Sequence, residues 1–317
     1  MTVIFRVAAG PRQGFGHLRR AVSLARALGV APRVSVRGTP AARRAARRLG
    51  CRVEPGAPGA TLDRAGADLL VIDDPRAWAG HPWLAAARRR GIPVASVHDL
   101  GLQHLPSDLV IDGSLTFTSR DTARGLFGPR FAVLDPRLAR AARWRPRRGA
   151  PRVLVTLGGG PRRGVAARVA HAIRQRCPGA IVRVTGGFVP GARATGGIVD
   201  LPPLPHLGGE LAAAAVAVVS GGVSLYEACA LGTPTVAVSV VSGQRRTVRT
   251  GADLGGVVFG GHLTRPGGAA AVAAAVSALL TEPKRQQILS SRGRALVDGR
   301  GALRIARRLR QLARKRL

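Results

Sequence analysis

Apolar residues fall in short continuous runs along the first half of the chain, each followed by a stretch where they recur every three or four positions among arginine and alanine. The runs predict strands over 3–9, 33–36, 69–73, 93–97 and 109–111, and the stretches predict helices over 18–28, 41–49 and 78–90. Unbroken apolar strands suit a parallel sheet buried on both faces, and this alternation supplies the covering helices. The pattern stops over Ala141–Pro151, where proline, glycine and four arginines mark a linker. It then restarts, with strands over 153–157, 181–185, 216–220 and 235–240 and helices over 165–176, 209–214 and 224–230. The expected architecture is therefore α/β with two Rossmann-like domains, 1–145 and 150–317.

At 317 residues, 46% of them apolar, the chain can fill two ordinary cores. Met1-Thr2 runs directly into Val3-Ile4-Phe5-Arg6-Val7, which reads as a strand and not as a leader. No window approaches the roughly 18 apolar residues of a membrane span. The longest apolar segments, Leu211–Val219 and Ala269–Leu280, fit core elements. Cys51, Cys177 and Cys229 have no metal-like spacing, and an odd number cannot all pair, so a reducing cytoplasm is the expected location.

The net charge of +34 invites a nucleic-acid reading. The excess is spread over both halves, however, and lysine occurs only at Lys284 and Lys315, so it reads as arginine-rich solvated surface. Aromatics at 3% leave few platforms for stacked bases. No specific nucleic-acid partner is expected. From Ala302 onward, Leu303, Ala306, Leu309, Leu312 and Ala313 lie near helical spacing among many basic residues. Such a helix offers a peripheral membrane contact, but its narrow apolar face favours packing on the core, including back on the N-terminal domain.

Two glycine-rich turns carry the candidate chemistry. The first, Gly10-Pro11-Arg12-Gln13-Gly14-Phe15-Gly16-His17, joins the first strand to the first helix. Glycines there permit a tight turn and close approach to a ligand, and the helix start favours an anion. It is not G-x-G-x-x-G, and the later acidic residue of a dinucleotide fold is missing, which disfavours NAD. His17 lies at the carboxyl edge of the sheet, where an imidazole can act as a general base. The second turn, Ser220-Gly221-Gly222-Val223-Ser224, ends a buried strand and opens a helix whose amides, with the Ser224 hydroxyl, can cradle a diphosphate. Glu227, taken to lie on that helix's first turn, is placed to accept from ribose hydroxyls, and Gln244 lies where it could touch a sugar. His98 and Asp99 end a strand and are candidates for the cleft border. His81, His104, His171, His206 and His262 show no ligand spacing, so no metal is expected. Ser220 and Ser224 lack the setting of an acyl-transfer nucleophile.

The order Gly14-x-Gly16-His17-x-x-Arg20, Gly221-Gly222, Glu227, Gly232-x-Pro234 and Gln244 resembles the GT-B nucleotide-sugar enzymes. Within them it looks closest to the pseudaminic-acid-pathway UDP-sugar hydrolases and their spore-coat polysaccharide relatives, with the lipid II-forming glycosyltransferase more distant. Val71-Ile72-Asp73-Asp74, His98-Asp99, Gly128-Pro129-Arg130-Phe131 and Leu157-Gly158-Gly159 support it, so the likeness runs in motif order over about residues 3–260. Gly160-Pro161 and Gly243 depart from the family's usual residues at those places. The resemblance implies two Rossmann-like domains facing each other across a cleft. It also implies that His17 activates water against a UDP-linked sugar in surface-polysaccharide synthesis. Gly14, Gly16, Arg20, Gly158, Gly159, Gly221, Gly222, Ser224, Glu227 and Gln244 would bind substrate or nucleotide. The substrate would be a UDP-sugar, with no cofactor. The alternatives are a metal-independent inverting glycosyltransferase using the same donor site, and a non-catalytic polyanion-binding protein.

Overall fold

The computed structural model describes residues 1–10, 14–99, 105–117, 125–141, 143–146, 149–158, 163–185, 194–202, 204 and 206–314. They form two compact units, Met1–Pro136 with Gly299–Leu317, and Arg137–Asp298.

The first unit begins β1 (Val3–Ala9), α1 (Gly16–Leu28), β2 (Arg33–Gly38), α2 (Pro40–Arg48), β3 (Arg52–Val53) and α3 (Pro58–Ala65). It continues β4 (Leu69–Asp73), α4 (Ala77–Arg88), β5 (Val94–His98), β6 (Leu109–Asp112) and β7 (Gly125–Phe127). The described strands order as β3-β2-β1-β4-β5-β6-β7, all parallel. Strand alternation divides the core by face. Val3, Phe5, Val7, Val71, Ala95 and Val97 pack with α1, whereas Ile4, Leu70, Ile72 and Val94 pack with Leu62 of α3 and Trp83 and Leu84 of α4.

In the second unit the order is β8 (Arg152–Thr156), α5 (Arg163–Arg176), β9 (Ile181–Thr185), β10 (Ala194–Thr195), β11 (Ile198–Leu201), α6 (Gly208–Ala213) and β12 (Val216–Ser220). There follow α7 (Val223–Leu231), β13 (Thr235–Ser239), α8 (Arg245–Asp253), β14 (Val258–His262), α9 (Gly268–Thr281) and α10 (Pro283–Leu296). Its described strands order as β10-β11-β9-β8-β12-β13-β14, and only the two-residue β10 is antiparallel.

Residues 141–151, expected as the linker, fall within the second unit. The reason is Trp144. Its amide donates to the Leu231 carbonyl and its indole N–H to the Ala214 carbonyl, both at 2.9 Å, with the ring buried. The last helix, α11 (Gly301–Arg314), belongs to the first unit. Ala302, Ile305, Ala306 and Leu309 join the core around Leu18, Ala21 and Leu24 of α1. Arg310 donates to the carbonyls of Ala27 and Leu28 at 3.1 Å, satisfying acceptors at the end of α1 that have no helical partner. No helix among the described residues is long and apolar enough to cross a membrane.

Leu309 is fully buried. Leu309→Ala is expected to lower the stability of the first unit by about 2–5 kcal/mol, the range for a leucine truncated in a packed core. Urea unfolding followed on that unit measures it, and an unchanged midpoint would show that α11 is dispensable there.

Candidate functional site

In the first unit β1 lies between β2 and β4, so successive connections leave its carboxyl end in opposite directions and open a crevice there. Gly10 and Gly14 exchange backbone hydrogen bonds at 3.0 and 2.7 Å, pinching the chain as it leaves β1. Gly14 takes φ +75°, a conformation open to glycine, and two residues later Gly16 begins α1. His17 and Arg20, three apart, share one face of α1. That helix packs on the sheet face to which the odd-numbered positions of β4 and β5 point, so Asp73 at the end of β4 and Asp99 just past β5 emerge beneath it.

The four side chains close into one buried network. Arg20 donates to Asp73 through Nε at 2.7 Å and Nη2 at 2.6 Å, and to Asp99 through Nη1 at 2.5 Å. His17 Nδ1 lies 2.7 Å from Asp73 Oδ1 and also 2.7 Å from Arg20 Nη2. Nδ1 cannot be both donor and acceptor, so these contacts compete. Were it unprotonated, its lone pair would face a carboxylate oxygen, two acceptors in contact inside the protein. With Nδ1 protonated, both bonds to Asp73 are made, and Arg20 Nη2 still has Asp73 as its acceptor. We therefore assign the proton to Nδ1, which leaves Nε2 as the basic nitrogen. Among the described residues Nε2 makes no hydrogen bond. The ring borders a small pocket shared with Asp74, His98 and Asp99.

Burial alone would push the Asp73 carboxyl up. The adjacent Arg20 charge and His17 outweigh it and hold the group at about 2, below its ordinary 3.8. Burial likewise disfavours the Arg20 cation, yet Asp73 and Asp99 keep it above its ordinary value.

The second unit repeats the topology with β8 between β9 and β12. Thr156 pairs with Val219, so Leu157-Gly158 leaves the sheet alongside Ser220-Gly221. Gly158 takes φ +91°; Gly159 lies outside the described residues, as does His104. The Gly221 amide donates to Val238 and the Gly222 amide to Ser220, so the fold itself uses both. The amides that α7 presents are those of Val223 and Ser224, after an N-cap, Gly222, that makes no side-chain cap. The first turn of α7 holds no acidic residue. Glu227, expected on that turn, is the fifth helical residue, because the helix begins at Val223 and not at Ser224; it is buried, one turn below Val223 on the same face. A Cβ on Gly221 would lie 2.8 Å from Val248 Cγ2 and 3.1 Å from Gln244 Cβ, so only glycine lets the Gln244 segment close on this turn. Gln244 Oε1 accepts from the Val240 amide at 3.2 Å, and its Nε2 stands 3.8 Å from where a Gly222 side chain would begin.

The structure thus gathers His17, Arg20 and the neighbouring Gly14 and Gly16 in the first unit. In the second it gathers Gly158, Gly221, Gly222, Ser224, Glu227 and Gln244. The sequence offered Asp99, with His98, as a candidate for the cleft border, and gave Asp73 no role. Their signal is two carboxylates at the carboxyl ends of apolar runs, Leu69–Asp73 and Val94–His98, which adjacent parallel strands bring side by side. Among the described residues no three His, Cys, Asp or Glu side chains are placed to hold a metal ion.

No protein-family model matches the sequence, and no curated protein matches it. Solved structures do. Spinosyn forosaminyltransferase SpnP superposes with a TM-score of 0.71 at 17% identity over 99% of each chain. MurG of Acinetobacter baumannii gives 0.64 at 13% identity, over 98% of this chain and 100% of its own. The UDP-GlcNAc 2-epimerase of Neisseria meningitidis bound to UDP-GlcNAc gives 0.59 at 10%, over 98% and 100%. The fold is GT-B. At these identities the likeness is one of fold, and the chemistry rests on the residues themselves.

The sign of the Asp73 effect on stability follows from its depressed value. Its contribution is complete above the unfolded value of 3.8 and is lost as pH falls toward about 2. Wild-type stability should therefore fall over that interval by on the order of 2 kcal/mol more than that of Asp73→Asn. Urea titrations at stepped pH measure the difference, and parallel curves would exclude Asp73 as the titrating group.

Proposed function

We propose that the chain is a nucleotide-sugar enzyme that transfers a sugar from a nucleoside diphosphate to an acceptor hydroxyl, with inversion and without a cofactor. The observation that carries this reading is the His17–Asp73 pair, because it holds the tautomer that leaves Nε2 basic on a ring bordering the pocket. The likeness to a forosaminyltransferase and to an epimerase bound to UDP-GlcNAc supports a nucleotide sugar as the donor.

Nε2 takes the acceptor's hydroxyl proton as the oxygen attacks the anomeric carbon. The bond from that carbon to the diphosphate breaks, and the nucleotide leaves with the electron pair. Asp73 lies against the ring to balance the charge it gains, as a carboxylate does for a catalytic imidazole. In the second unit the Val223 and Ser224 amides, with the Ser224 hydroxyl, take the diphosphate, and their fixed dipoles favour its growing charge. Glu227 accepts from the ribose and Gln244 donates beside it. Arg20 is a positioning residue, since three of its donors hold the two aspartates.

The same machinery with water as nucleophile is a hydrolase. The order Gly14-x-Gly16-His17-x-x-Arg20, which resembles the pseudaminic-acid-pathway enzymes, favours that second reading. Incubation with a panel of UDP-, CMP- and TDP-sugars separates the two. Free nucleotide that appears only with an acceptor marks a transferase, and release in buffer alone marks a hydrolase. A folded protein that binds no nucleotide and retains nucleic acid salt-sensitively would overturn both.

His17→Ala is expected to leave donor affinity nearly unchanged while slowing turnover about 10²–10⁴-fold, the range for one general base. Turnover at the wild-type rate would remove His17 from that role. Glu227→Ala should weaken UDP binding by about 1–3 kcal/mol, the size of a lost charge-assisted hydrogen bond. Calorimetry on a variant whose circular dichroism is unaltered reads it, and equal affinity would sink the ribose assignment.

A further inference from the structure

Asp73 and Asp74 are consecutive, so the end of β4 turns their side chains to opposite faces of the sheet. Asp73 serves His17. Asp74, which borders the same pocket, serves a different group. Its oxygens accept from Arg37 at 2.7 and 2.5 Å, and Oδ1 also accepts from the Arg76 amide at 3.0 Å. Both guanidiniums stand beside the Trp78 ring, Arg37 at 5.7 Å and Arg76 at 5.8 Å from its centre. Trp78 is nonetheless 64% exposed, in a chain with only three tryptophans.

A third cation lies one step down the same sheet face. Arg6 pairs in register with Ser35, two residues before Arg37, and donates to its hydroxyl at 3.1 Å. Its guanidinium lies 5.3 Å from the centre of Trp83, and its buried Nε has no hydrogen-bond partner. Burial disfavours the Arg6 cation, Asp74 supports it, and Arg37 opposes it. Asp74 pairs with Arg37 and supports the Arg6 charge from farther off, while of Arg76 it accepts only the backbone amide. The cluster is therefore short of negative charge, beside an aromatic ring left open to solvent, and Asp74 alone of its members also lines the His17 pocket.

We infer that Trp78, Arg37 and Arg76 form the platform for the acceptor, and that the acceptor carries a ring next to an anionic group, a phosphate or a carboxylate. The inference rests on the transferase reading, to which it adds the substrate class. The ring lies on Trp78, the anion supplies the charge that Asp74 alone does not, and a hydroxyl reaches Nε2 of His17. Water needs no such platform, so an occupied one favours transfer over hydrolysis.

The test measures binding by calorimetry without donor, using phenyl phosphate as probe and phenol and inorganic phosphate as its two halves. Wild type should bind phenyl phosphate more tightly than either half. Trp78→Ala and Arg76→Ala should each weaken it about tenfold, since a guanidinium–ring or ring–ring contact is worth about that factor. Both side chains are exposed, and a urea unfolding midpoint of the first unit equal to wild type reports that the variants are folded. No binding of phenyl phosphate by wild type, equal binding by both variants, or inorganic phosphate bound as tightly would overturn the platform. A wild type that binds phenyl phosphate as expected but binds no nucleotide would leave the platform standing and overturn the transferase reading instead.

Discussion

Two carboxylates held against one buried guanidinium fix the geometry on which the first unit's chemistry depends. Taking Arg20 and Asp73 out of water costs several kcal/mol per ion, and only good geometry with every donor matched offsets it. The matching here is close: three of the guanidinium's N–H groups reach Asp73 and Asp99. An arrangement that costs this much to misplace also leaves little freedom. It ties α1 to β4 and β5, and through Asp73 it sets which nitrogen of His17 stays basic. Packing of Leu18 and Leu24 holds the helix on the sheet, while the ion pairs determine its exact seating.

The second unit meets a related requirement at its turn with backbone groups. Its strand order reverses at β8 and β12 as the first unit's does at β1 and β4. There the site is made of backbone. Gly221 and Gly222 spend their own amides on the sheet and the turn, and so hold the next two amides open at the start of α7. Side chains are kept away by contact, since Val248 and Gln244 occupy the space a Cβ would need. A base requires a titratable side chain held in one tautomer, whereas a diphosphate requires fixed dipoles, and the two turns differ in that way.

The strands were legible because burial on both faces demands unbroken apolar runs, and 3–9, 69–73, 181–185 and 216–220 agree with the structure to the residue. Elements lacking that contrast were given no secondary structure, although Ala269–Leu280 was placed in the core. In α9 the residues are nearly all small and apolar, while in α10 polar and apolar positions mix without a clear stripe, so neither shows an amphipathic period. β14 contains Gly260 and Gly261, which read as turn, and β3 has two residues. For the site, the glycine turns and His17 could be found from local spacing. The roles of Asp73 and Asp99 could not, because a carboxylate at a strand end gains meaning only once the order of strands and the seating of α1 are known. The consumed amides of Gly221 and Gly222 were hidden for the same reason: their partners, Val238 and Ser220, are set by the sheet and the turn.

Charge composition bears on how that site should be read. With 50 basic and 16 acidic side chains, arginine is abundant and carboxylates are scarce. An arginine at any surface position therefore carries little information, and many in the first unit do ordinary structural work, as Arg310 does at the end of α1. A carboxylate carries more. Glu54, Asp63 and Asp135 each pair with a nearby arginine, away from the pocket. Asp73, Asp74 and Asp99 instead border one small pocket, together with two histidines. Nothing in the sheet requires acidic groups at those strand ends, and burying two of them needed Arg20 and Arg37 as dedicated partners. Scarce groups gathered at a crevice, held by Arg20 and Arg37, are what a reaction that moves a proton and a cluster that awaits an anion would both require.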